Sequence, residues 1–144
     1  MQANELMTGD WVLIKRTPSC EYPYKICSIN NYSILGEDYA DWIEVEAGEE
    51  INLEDIKPIP LTAEILEKIG FHHHLIAERG FTREEWTLSD DYYDIVVSEW
   101  SDSIWVFRYE CTEMNTPHEQ RVFGYVHELQ HALRECGIDK EIVL

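Results

Sequence analysis

From residue 9 to residue 60, apolar and polar positions alternate in short runs broken by turn-forming residues. "DWVLIKR", Asp10 to Arg16, is β-rich after a Gly9-Asp10 turn. "YKICSI", Tyr24 to Ile29, alternates, Asn30-Asn31 reads as a turn, and "DWIEVE", Asp41 to Glu46, alternates again before Gly48. Several strands so closely spaced predict a small antiparallel barrel-like lobe or curled sheet. The pattern then changes period. In "KPIPLTAEILEKIGF" two prolines impose extended geometry, Thr62 can cap a helix, Ile65, Leu66 and Ile69 form its apolar stripe, and Gly70 stands where a helix ends. The boundary between two lobes is placed at Pro58 to Leu61, giving a β-rich lobe over 1–60 and a second lobe over 61–144.

In the second lobe "YYDIVVSEW" and "SIWVFRYEC" read as strands separated by the "SDS" turn, forming a meander with one covered face. "HHHLIAERG" and "EEWTLSDD" fit either strand or loop. "TEMNTPHEQ" reads as loop, "RVFGY" as a short strand or turn, Val126 to Cys136 as a helix, and "KEIVL" as a closing strand. The predicted fold class is α+β: a small antiparallel β barrel-like lobe, then helix, antiparallel meander, helix and strand.

Composition narrows the function classes. At 144 residues, 44% hydrophobic, with five Trp, eight Tyr and four Phe, the chain can bury a core without staples. Its formal charge of −18, from 29 acidic and 11 basic residues, argues against phosphate backbones and anionic membranes as partners. Nine of those acids fall between Glu37 and Asp55, where no basic residue interrupts them, and read as a solvated face. The N-terminus shows no secretory signal and no apolar run reaches membrane-spanning length. Cys20, Cys27, Cys111 and Cys136 lack C-x-x-C or framework spacing and read as reduced thiols, so a cytoplasmic location is expected.

Candidate chemistry centres on "YVHELQHALRECG", which contains His-Glu-x-x-His. On a helix, His127 and His131 project from one side and could ligate zinc, with Glu128 acting on a bound water. The motif is short, and the extended zincin pattern fails because Arg134 and Gly137 occupy its later positions. Third-ligand candidates reduce to Asp139, Glu141 and His118. Metal-free packing accounts for the same residues: Val126, Leu129, Leu133 and Cys136 form an apolar seam, and the two histidines fall away from it as surface residues. In "HHH", 72–74, only His72 and His74 could share a metal on a strand, and a loop or strand-edge run is the preferred reading. Asp90, Asp91 and Asp94 lack the glycine and spacing of a calcium loop and read as solvated turn acids.

Together "NELMTGDWV", "LEDIKPIPLTAEILEKIGF" and "YVHELQHALRECG" resemble a family of small uncharacterised bacterial proteins often met on mobile elements. Its members open with an E-L-x-x-G-[ND]-x-V-like start, carry a central I-x-P-I-P-L-T segment, and end with a V-H-x-L-Q helix and a small closing strand. The resemblance covers about a third of the chain. Val126, His127, Leu129 and Gln130 match the terminal pattern, while Glu128 and His131 stand at positions the pattern leaves open. The resemblance implies a structural helix and no settled activity, and makes His127 and Gln130 a candidate pair for bonding a neighbouring segment or a partner.

The leading expectation is a non-enzymatic module without cofactor that binds a protein partner, with homo-oligomerisation an open option. Trp86, Trp100 and Trp105, taken as exposed aromatics of the meander, join His127 and Gln130 as candidate contacts, against core packing as the bland alternative. The second expectation is a zinc-dependent hydrolase using His127, His131 and Glu128. The third is an acidic DNA mimic, which requires carboxylates regularly spaced along one face.

Overall fold

A computed structural model describes residues 5–17, 20–34, 37–46, 48–89, 91–101, 103–111, 116–138 and 140–144. The fold is α+β and the chain divides into two compact units, Met1–Ile59 and Pro60–Leu144.

The N-terminal unit begins at a turn in which Gly9 adopts φ 89°, a conformation that glycine reaches without steric cost. The buried Asp10 fixes this turn: its carboxylate accepts the Met7 N–H at 2.7 Å, and its carbonyl accepts the Ile26 N–H at 2.9 Å. Strands β1 (Trp11–Thr17), β2 (Cys20–Ile34), β3 (Glu37–Val45), β4 (Glu50–Asn52) and β5 (Ile56–Pro58) form one antiparallel sheet ordered β4-β3-β2-β1-β5. Register shifts at Lys15/Thr17, Ile26/Ser28 and Asn30/Tyr32 bend the long strands, and the sheet curls into a half-barrel. Its concave side collects Val12, Ile14, Ile26, Ile43, Val45 and Ile56, with Leu6 packed among them. Asn30-Asn31 is therefore no turn. The strand continues to Ile34, and the irregularity at the two asparagines is a shift in pairing with β3.

The C-terminal unit opens with α1 (Ala63–Ile69). The Thr62 hydroxyl accepts the Ile65 N–H at 3.4 Å, and Gly70, at φ 102°, ends the helix as the Phe71 N–H bonds to the Leu66 carbonyl. Hydrogen bonds from its own backbone N–H and from the Thr62 hydroxyl hold the Glu64 carboxyl below the usual carboxylate range. Leu66 and Ile69 are buried, with Ile65 half-buried beside them. Five strands follow as a simple meander: β6 (His72–Glu78), β7 (Phe81–Ser89), β8 (Tyr93–Ser101), β9 (Ile104–Cys111) and β10 (Thr116–Phe123). Helix α2 (Val126–Glu135) comes last.

Two expectations fail in this unit. The segment read as loop supplies Thr116 to Gln120 of β10, an edge strand, where the missing N–H of Pro117 is tolerated. "KEIVL" adds no strand, and Ile142 instead buries its side chain, as Ile138 does. No helix among the described residues is long and apolar enough to cross a membrane.

Residues directly opposite one another in an antiparallel ladder share a face. The row Trp86, Val97, Phe107 and the row Leu88, Ile95, together with Trp105 and Phe123, therefore define one face, and all seven side chains are buried. The helices belong to this face: Arg121 pairs with Glu135 of α2, and the Trp105 indole donates to the Leu61 carbonyl, just before α1, at 3.0 Å. The opposite face carries the row His74, Glu85, Ser98, Val106, Val122 and the row His72, Thr87, Val96, Arg108.

Candidate functional site

At the start of α2, Gly124 and Tyr125 would leave two backbone N–H groups without helical partners. The Glu128 carboxylate takes both: its Oε2 accepts from Gly124 N at 2.9 Å and from Tyr125 N at 3.0 Å. This is the carboxylate half of a capping box, and it commits to the helix terminus the group that a hydrolase would need as a base. His127 is only 6% exposed, contrary to the surface placement expected for it, and Gln130 is buried as well. The apolar seam sets one side of α2, but the buried arc is wider. The Tyr125 ring stacks on the His127 imidazole at 5.9 Å and 12°, and the His131 ring meets it edge-on at 5.8 Å. Among the described residues no group of three His, Cys, Asp or Glu side chains is disposed to hold a metal ion. Asp139 and the His118 side chain lie outside the described residues, as does Asp90.

The three tryptophans separate sharply. Trp86 and Trp105 are buried on the helix-covered face, in edge contact at 5.3 Å, with His73 stacked on Trp86 at 4.8 Å. Neither is the exposed contact that the sequence suggested, because the alternation of β7 and β9 turns both inward. Trp100 is 74% exposed. It shares the parity of Val96 and Ser98, which places it on the face away from the helices, and because pairing runs Glu99↔Trp105 and then Ser101↔Ile104 it is also the extra residue of a β-bulge.

No protein-family model, curated protein or solved structure matches this chain.

Beside Trp100, on the face away from the helices, Arg83, Glu85, Val96, Ser98, Val106 and Arg108 line a depression of about 360 Å³. Its floor is apolar, since Val96 and Val106 are buried. Its wall is a charge network. Glu85, 4% exposed, sits 2.7 Å from the Arg83 guanidinium and 3.5 Å from that of Arg108, which reaches across β8, and Arg108 Nε lies 3.4 Å from Glu110. Burying a carboxylate costs free energy unless it is paired and hydrogen-bonded, and here two guanidiniums supply the partners. Arg83 and Arg108 line the depression beside the two valines, with their side chains partly exposed to water. A second depression of about 370 Å³, lined by Thr82, Arg83, Glu84, Glu99 and Ser101, lies against the same indole. Phe81, Ile104 and Val122 add exposed apolar side chains to this face.

The sequence named Trp100 but missed Arg83, Glu85 and Arg108. The available signal was parity: Arg83 and Glu85 are two apart in one strand, so they share a face, and Arg108 is the one basic residue of β9, two before Glu110.

Proposed function

We propose that this chain is a non-enzymatic binding module that engages a protein partner through the face of the meander carrying Trp100, Arg83 and Arg108. The observation that carries the reading is Trp100 itself: a large indole at a bulge stands in solvent between two depressions, where it stabilises no core. Tryptophan and arginine are the residue types most enriched among side chains that dominate binding energy, and the apolar floor beside the arginine side chains offers surface that a partner can desolvate. The partner is expected to present both apolar and charged groups, because the wall of the depression carries both signs. A nucleic acid backbone fits poorly against a chain of charge −18.

The test compares proteins retained by the wild-type chain with those retained by Trp100→Ala and Arg108→Ala, each checked for an unchanged fold by circular dichroism. A partner held by the wild type and lost from both variants supports the reading. Identical retention by all three removes it.

A further inference from the structure

The strand edges of the two sheets differ in how they are protected. Sheet edges expose unpaired N–H and C=O groups, and natural edges are blunted by shortness, proline, bulges or lysine. In the N-terminal sheet both edges, β4 and β5, are three residues long, and β5 ends in Pro58. In the C-terminal sheet the β10 edge contains Pro117 and a register shift at Pro117/Glu119. The β6 edge has none of these protections. It runs seven residues, His72–Glu78, in unbroken register with β7, without proline, lysine or bulge, and is exposed along almost its whole length, Leu75 to 64%.

Its sequence is complementary to itself. We propose that β6 pairs with β6 of a second copy of this chain, antiparallel, about a two-fold axis at Leu75. Opposing residues in such a pair must share a face, so their numbers sum to an even value, and the register centred on Leu75 uses all seven residues. It places each His72 opposite Glu78 of the second copy, His73 opposite Ala77, His74 opposite Ile76, and Leu75 opposite itself. An imidazole N–H donates in either protonation state and a carboxylate only accepts, so both ends of the ladder match. Parallel pairing in register would set Glu78 against Glu78 and leave the histidines unmatched. A two-fold strand pair closes on itself, whereas pairing β6 to the β10 edge would propagate as a filament, and Pro117 opposes it. One seven-residue ladder buries less than a standard interface, which places the dimer in the weak, concentration-dependent class. This inference does not depend on the partner-binding reading of the Trp100 face.

Sedimentation of the full chain over a wide concentration range is expected to show a monomer–dimer equilibrium. Leu75→Lys sets two like charges face to face at the axis and is expected to weaken the dimer at least roughly tenfold, as is Leu75→Glu. Mixing the two variants is expected to restore association, because the introduced ammonium then faces the introduced carboxylate. In the wild type, alternate β6 amides are expected to gain protection from hydrogen exchange as concentration rises, a check that needs no variant. A wild type that stays monomeric, single variants that dimerise like the wild type, a mixture that stays monomeric, or protection independent of concentration would each overturn the proposal.

Discussion

The two faces of the C-terminal sheet solve the same problem with different materials. Ile95-Val96-Val97 and Trp105-Val106-Phe107 are runs of consecutive apolar residues, so β8 and β9 present apolar side chains on both sides. One side meets the helix-bearing layer and buries Phe107, Val97 and Ile95 completely. The other leaves Val96 and Val106 as the floor of a depression lined by Arg83 and Arg108, which share Glu85 as ion partner. A helix layer closes its side from water, whereas the arginine side chains of the other side remain partly exposed. The difference separates a face built for stability from a face available for contact.

The sharpest way to break this comparison is to truncate the covered face. Phe107→Ala, in contact with the Phe123 ring at 5.7 Å, removes a side chain with no solvent exposure and is expected to cost about 4 kcal/mol, read from the midpoint of denaturant unfolding. A cost under about 1 kcal/mol would mean that this layer is not the unit's core. On the open face the largest effect is expected from Glu85→Ala, about 2 kcal/mol, because it leaves two guanidiniums side by side without their shared counter-ion. The value is set below that of a wholly buried triad because Arg83 is about half exposed and its charge partly solvated. Unchanged stability in Glu85→Ala would show that the two guanidiniums tolerate each other without the carboxylate.

Glu128→Ala tests the layer above the covered face. Loss of the capping carboxylate is expected to lower stability by about 1 kcal/mol on the same unfolding curve, through fraying of the first turn of α2. A variant with unchanged stability would release Glu128 from its structural role and reopen the zinc reading. Metal analysis of tag-free protein beside His127→Ala, His131→Ala would then decide it.

Much of the layout was legible because it rests on local rules. Thr62, Gly70 and the prolines marked α1, and the apolar runs marked β8 and β9. What the sequence hid was tertiary. The Arg79-Gly80 turn, with φ values of 46° and 87°, makes β6 and β7 a two-residue hairpin, yet arginine is an unusual residue for a left-handed turn position and gave no sign of it. His127 is buried, with its ring stacked on that of its neighbour Tyr125, a placement that helical periodicity does not report. The ion network joins β7 to β9 across an intervening strand, so its central pair, Glu85 and Arg108, lies 23 residues apart in the chain. Trp100 was identified as a candidate contact, and it shares the parity of Val96 and Ser98, so alternation already places it on the open face; the extra residue in its ladder was the part the sequence did not show.

That bulge yields the smallest expected effect on stability and the one on which the functional reading turns. Trp100→Ala removes the largest side chain of the open face, yet an indole 74% exposed contributes little burial, so stability is expected to change by less than about 0.5 kcal/mol. A cost above about 2 kcal/mol, comparable to losing core apolar surface, would show that the indole packs as structure and would erase the distinction between the faces. An unchanged unfolding curve beside lost partner retention would separate stability from contact at a single residue. Covered-face truncations cannot make that separation, because every side chain there supports the fold that any binding surface needs.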